Sequence, residues 1–281
     1  MINLYLKNLN KLIKKNNFQV AFAIIIIILF LIIFTSFITE FSPLENNSRN
    51  RLQSPSSTHY MGTDEFGRDV FARVLYGARN SIQVGISVVI LTIIFGGIVG
   101  ILAGYYSKLD NIIMRILDGI MAFPGIIIAI SLAAIWGGGK NNIIIALTFS
   151  YFPKMARIVR SSILSIKDLE YIESAKAIGA SNSRIIFRHI LKNSVSPIMV
   201  QASFNFARAI LDEAALSFLG VGIMPPNPSL GGMISEARSF LTVAPWIITF
   251  PGIFIVIIVL SFNLIGDGLR DLLDPHLQKN Y

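Results

Sequence analysis

The stretch from Val20 to Ile38, VAFAIIIIILFLIIFTSFI, carries two hydroxyls and no charge across nineteen residues. A helix of that length reaches about 28 Å, close to the ~30 Å hydrocarbon layer of a bilayer. No face of such a run suits water, so it demands lipid. A cleaved leader has a shorter apolar region, typically ~7–15 residues, ending in small residues. Val20–Ile38 is too long for that and reads as a retained membrane helix.

Five further runs follow: Ser81–Gly104, Asp118–Trp136, Asn142–Val159, Val195–Gly222 and Ala244–Ile265. The fourth is the weakest, because Pro153, Lys154 and Arg157 crowd its end. Six spans predict an all-α integral membrane protein built as a six-helix bundle. Placing the N-terminus inside puts sixteen Lys and Arg residues in inner segments and seven in outer ones. The positive-inside rule therefore expects both termini in the cytoplasm. The chain divides into residues 1–38 (cytoplasmic N-terminus and first span), 39–80 (an extracytoplasmic connection), 81–266 (a five-helix core) and 267–281 (a cytoplasmic tail). A loop at 160–193 hangs from the core.

Composition narrows the chemistry. Charged residues make up 14% of the chain, against about 25% in soluble proteins. There is no cysteine, which removes disulfides, thiol catalysis and thiolate metal sites. The net charge of +8 fits basic loops held inside a membrane rather than nucleic acid binding.

The longest polar interruption in the second half, EYIESAKAIGASNSRIIFRHILKNSVSPI, runs from Glu170 to Ile198. Ala175 and Ala177 favour a short helix, and Gly179 suits the left-handed position that ends one. Ser181 or Asn182 can cap a second helix running toward Leu191. Two short helices with a bend between them follow. Small side chains at Ser174, Ala175 and Ala177 let another surface approach, and no group here can do acid–base or nucleophilic work alone. The residues by themselves leave two readings open, a docking knob or a solvated loop.

Glu173-Ser174-Ala175, three residues, then Gly179 resembles the E-A-A-x-x-x-G signature of ABC importer permeases, with Ser174 in place of an alanine. HYMGTDEFGRDVFARVLYGAR (His59–Arg79) resembles the segment after the first helix in C-type permeases of dipeptide, oligopeptide and nickel importers. Glu213–Arg238 and Ala244–Pro275 resemble the rest of that subunit, so the likeness covers about residue 20 to 277. It implies the type I importer permease fold, with the loop as a coupling helix. Glu170, Glu173, Ser174, Ala175, Ala177, Gly179, Ala180 and Arg184 would then meet an ATPase. It also implies a homologous B-type permease, two ABC ATPase subunits and an extracytoplasmic substrate-binding protein as partners. ATP and Mg would sit on the ATPases, and this chain would bind no cofactor. The family carries di- and oligopeptides, nickel and metal chelates; peptides are expected here, with nickel or a chelate as the alternative.

The remaining constellations are structural or ambiguous. His59, Asp64, Glu65 and Asp69 fit neither a zinc nor a calcium spacing. Asp69 instead can cap an amphipathic helix bearing Val70, Phe71, Val74, Leu75 and Ala78, lying at the outer surface. Gly96, Gly100 and Gly104 form a small-residue face for helix packing. Pro124 breaks the third span, either lining a pathway or simply kinking it. Arg208, Asp212 and Glu213 sit within the fifth span, where charges are costly unless paired or wetted. They either face a pathway or the partner permease, or form a buried structural pair. Asp267, Arg270, Asp271 and Asp274 read as a cap on the sixth span.

The chain has no G-x-x-x-x-G-K-[ST], H-E-x-x-H or G-x-S-x-G motif, so no enzyme is expected. A stand-alone secondary transporter or channel is the alternative of another class. It would need internal repeats or a midplane ion site, and neither is visible.

Overall fold

The structure is a computed structural model that describes residues 16–273. Lys7, Lys11, Lys14, Lys15 and Asp274 lie outside the described residues. The helices are α1 (Asn16–Ile33), α2 (Thr35–Ile38), α3 (Val70–Tyr105), α4 (Ser107–Met121), α5 (Gly125–Trp136), α6 (Lys140–Ile166), α7 (Glu170–Ala177), α8 (Asn182–Arg184), α9 (Leu191–Phe218), α10 (Leu230–Glu236) and α11 (Trp246–Leu273). A π-helical turn, Ile185–Ile190, joins α8 to α9. Among the described residues there is no β-strand.

Two helices, Val70–Tyr105 and Trp246–Asp271, are long and apolar enough to span a membrane by composition alone. The α4–α5 pair makes a third span if its 81° bend is a break within one crossing. α1 contributes a shorter apolar helix, Phe18–Ile33. α6 and α9 run 27 and 28 residues, about 40 Å each at 1.5 Å per residue. They are less apolar than the others, carrying Lys154, Arg157, Arg160, Arg208, Asp212 and Glu213 together with neutral polar residues such as Gln201 and Asn205. Those charges have specific places inside the bundle, described below.

Three expectations change in detail. The amphipathic segment after Asp69 is no separate surface helix: it is the first third of the 36-residue α3. Asp69 does cap it, accepting from Ala72 N at 2.7 Å. Val70, Val74, Leu75 and Ala78 are fully buried and Phe71 half-buried; Val70, Val74 and Ala78 pack with α1, α10 and α11 in one core cluster, so core rather than a lipid surface takes most of that stripe. The boundary at Ser81 thus falls within a helix. The inner segment 105–117 is largely helical: Tyr105 ends α3, and residues 107–117 form most of α4. The second elbow helix does not stop near Leu191 but passes through the π turn directly into α9.

Packing centres on α3 against α6. A Cβ built on Gly96, Gly100 or Gly104 would come within 2.6–2.8 Å of Met155, Val159 or Ile163 side chains on α6. Real Cβ atoms do not approach that closely, so only glycine permits this backbone spacing. Small residues repeated every four let helices close on one another in lipid, where apolar burial between helices gives little drive. α9 lies across both α3 and α11.

The segment before α3 folds over the end of the bundle remote from α7. Arg68 bonds Asp64 at 2.6 Å and Glu236 at 3.1 Å. Arg73 reaches the same Glu236 at 2.9 Å and Asp64 at 3.3 Å. His59 Nδ1 pairs with Asp69 at 2.8 Å. Trp246 Nε1 donates to Thr63 O at 3.1 Å. The four groups weighed as metal ligands thus engage partners within this ion network and the helix cap.

Candidate functional site

The elbow is built from backbone chemistry first. α7 carries Glu170 and Glu173 in its first turn and Lys176 in its last, which suits the helix dipole. It ends where Gly179 adopts φ +83°. Gly179 N donates to Lys176 O and Ala180 N to Ala175 O, both at 3.0 Å, the Schellman pattern that closes a helix on a left-handed residue. Ser181 then caps α8 through its side chain, accepting from Arg184 N. The bend is therefore a hydrogen-bonded object rather than a slack loop.

One face of this object is anchored. Ile172 is fully buried in a cluster with Met155, Val159 and Ile163 of α6 and with Ile185 and Ile190 of the π turn. Tyr105, the last residue of α3, donates its hydroxyl to Asn182 Oδ1 at 2.8 Å. The other face is free. Glu170, Glu173, Ser174, Ala177, Gly179 and Arg184 are exposed, and Ala180 is half-buried. Ser174 Oγ donates back to Glu170 O at 2.8 Å, which keeps the outer surface small. Ala175 is placed differently from the docking set it was grouped with. It is 8% exposed and turns inward with Ile172, three residues apart on one helix face. Ile178, 86% exposed, and Phe187, 70% exposed, are apolar groups on the free side that sequence reading passed over. Ile178 immediately precedes Gly179, off the stripe of α7, and that offset is the available signal.

A cavity of about 830 Å³ opens between the α4–α5 break, α6, α9 and α11. Pro124 forms one side of it. Tyr151 and Lys154 of α6, Gln201, Asn205 and Arg208 of α9, and Asn263 of α11 supply its polar lining. The α4 side is fastened by ion pairs. Arg160 holds Asp110 through two bonds of 2.5 and 2.6 Å, and Arg157 holds Asp118 at 2.5 Å.

The three polar residues of α9 separate in role. Arg208 and Asp212 line the cavity. Their contact is long, 3.7 Å from Nε to Oδ2, and Tyr151 Oη donates to that same Oδ2 at 2.5 Å. Glu213, one residue on, points the other way and is fully buried. Ser81 and Ser217 donate to its two oxygens at 2.6 and 2.8 Å. Ser217 Oγ in turn accepts from Ile223 N at 3.1 Å. Glu213 is thus a joint between α3, α9 and the chain leaving α9. Gln201, Asn205 and Tyr151 escaped sequence reading because neutral polar residues in a span carry no pattern of their own.

Such a bundle, with a polar cavity at its side and an exposed anchored elbow at one end, defines a class of membrane transport subunit. The chain belongs to the family of binding-protein-dependent transport system inner membrane components, whose model matches residues 92–279. It is a multi-pass membrane component of an ABC importer, working with ATPase and substrate-binding partners. It is 48% identical to the dipeptide transport system permease protein DppC of Alkalihalophilus pseudofirmus, across 95% of this chain and 89% of that one. It is also 48% identical to the glutathione transport system permease protein GsiD of Pectobacterium atrosepticum, across 80% of this chain and 75% of that one. The fold is that of type I importer permeases. An inward-facing structure of the MetNI methionine ABC transporter superposes with TM-score 0.60 at 18% identity, covering 72% of this chain and 96% of that one.

Proposed function

We propose that this chain is the C-type permease of an ATP-driven importer of di- and oligopeptides, paired with a homologous B-type permease to enclose the pathway. Two ATPase subunits, which would hold ATP and Mg, dock at the side bearing α7. An extracytoplasmic binding protein delivers peptide to the other. Both termini face the cytoplasm, a reading supported by the excess of Lys and Arg in the segments on that side. Relatives named for dipeptide and glutathione transport favour peptides over nickel or a chelate.

The observation that carries this reading is the burial of Ile172 between α6 and the start of α9. Those same two helices wall the cavity. A push on the free face of the elbow therefore reaches the cavity through close-packed side chains rather than through a flexible strap. ATP binding would close the ATPases and carry the elbows with them. The bundle would then shift from inward-open to outward-open, a population change driven by the different affinity of each state for ATP. Hydrolysis and release would reverse it.

Uptake in proteoliposomes tests the assignment. The complete assembly with its binding protein should concentrate labelled dipeptide only with ATP. The chain reconstituted alone should concentrate none. Uphill uptake by the chain alone would overturn the reading. So would an assembly that moves nickel but no peptide.

A further inference from the structure

We propose that the α9 wall of the cavity, at Asn205 and Arg208, takes the carboxylate of a small zwitterionic peptide as it passes. This rests on the reading that the cavity is this subunit's share of a peptide pathway. Asn205 is 4% exposed, and its Oδ1 accepts from Gln201 Nε2 at 2.6 Å; Gln201 is itself 7% exposed. In the structure the amide points its oxygen at Gln201. It leaves Nδ2 as a buried donor with no partner among the described residues, while Asn205 lines the cavity. A buried donor of this kind carries an unmet desolvation cost until something accepts from it, and folded proteins keep few of them.

Arg208 lies three residues further along, on the same helix face. Its side chain is 62% exposed, and the 3.7 Å contact to Asp212 is too long for a hydrogen bond. Asp212 Oδ2 is already engaged by Tyr151. The guanidinium keeps this ion-pair contact with Asp212 and also interacts with Tyr151; what it presents to the cavity is the rest of its exposed donor edge. A neutral N–H donor beside an exposed, only loosely paired guanidinium selects a planar anionic acceptor, and a carboxylate matches its donors in shape and charge. A metal cation would be repelled by the guanidinium, and a neutral amide could accept a hydrogen bond from it but not form the ion pair. Lys154 in the same lining adds positive charge.

The test is equilibrium binding of labelled dialanine and of dialanine amide to the assembled, nucleotide-free transporter without its binding protein. The free acid should bind about tenfold more tightly than the amide, the worth of one charge-assisted bond. Arg208→Gln should erase that preference, and Arg208→Lys should keep part of it. Asn205→Asp should weaken the acid and strengthen the amide, a reversal that misfolding cannot produce. Equal binding of acid and amide by the native assembly would overturn the inference, as would an undiminished preference in Arg208→Gln. ATP-driven uptake with the binding protein present separates the two levels. Failure to transport any peptide sinks the importer reading. Peptide uptake together with equal acid and amide binding sinks this inference alone.

Discussion

Gly100 of α3 faces Val159 of α6 so closely that a Cβ added to it would stand 2.6 Å from the Val159 Cβ and 2.6 Å from the Ala156 carbonyl oxygen. Neither neighbour is the movable tip of a side chain, so the helices themselves must part. Gly100→Ala should cost about 1–3 kcal/mol as an overpacking change. Gly97 is the internal control, since among the described residues a Cβ there meets nothing within 4 Å. Gly97→Ala should be neutral or slightly stabilising by helix propensity, about 0.5–1 kcal/mol. Thermal unfolding midpoints of the two variants in detergent check the contrast.

Glu213 should prove structural. Removing it leaves Ser81 and Ser217 without their acceptors and opens a void, so Glu213→Ala should destabilise by about 2–4 kcal/mol. Glu213→Gln keeps the shape, and the serine hydroxyls can rotate to suit an amide. Yield of assembled complex should fall sharply for the alanine variant and stay near the native level for the glutamine variant. Peptide affinity per assembled complex should be unchanged in both.

Gly179 separates strain from docking. Among the described residues nothing lies within 4 Å of a Cβ placed there, but its φ is +83°, which costs an L-residue about 1–2 kcal/mol. Gly179→Ala should carry that strain and couple nearly normally. Gly179→Leu carries similar strain but adds bulk to the free face of the elbow. It should lower ATPase recovery in a pull-down, or leave ATP hydrolysis running without uptake. Native uptake by Gly179→Leu would remove the elbow from the docking surface.

Glu65 predicts a pH effect at the opposite end. Burial chiefly raises its pKa, helped by the neighbouring Asp64 and Glu236 carboxylates and opposed by a backbone hydrogen bond and Arg68. Its Oε2 is buried without a partner among the described residues. The folded state therefore holds this proton more tightly than the unfolded chain does. The resulting stabilisation is full below the unfolded glutamate pKa and is lost as pH rises through the higher folded value. Glu65→Gln should flatten that decline. Unfolding midpoints of both proteins, followed from acid to neutral pH, give the difference.

The apolar runs revealed that the chain lives in lipid, and Gly179 with Ser181 marked the bend to the residue. Both signals are local: one is a matter of hydrophobic length, the other of backbone conformation. What stayed hidden depends on three-dimensional neighbours. The Val70–Ala78 stripe reads as amphipathic whether it meets lipid or core, and only α1, α10 and α11 decide. Ala175 and Ala177 look alike in sequence, yet two residues on a helix are about 200° apart, so one turns in and the other out. Arg208, Asp212 and Glu213 appear as one charged group in the chain. In the fold the first two face the cavity, and the third is held by serines on the far side. The first two-thirds of α4 lies outside the apolar runs because Lys108, Asn111 and Arg115 line one side of an amphipathic helix, and its acids Asp110 and Asp118 find arginines on α6.

The unbroken length of α3 bears on timing in transport. Near one end its Arg73 is fixed to Glu236; at the other its Tyr105 is fixed to the elbow. A continuous helix offers no joint at which these attachments could be taken in turn. On the proposed reading, peptide delivery at one end and ATPase engagement at the other are therefore joined by a single shaft, and movement at either end is carried to both.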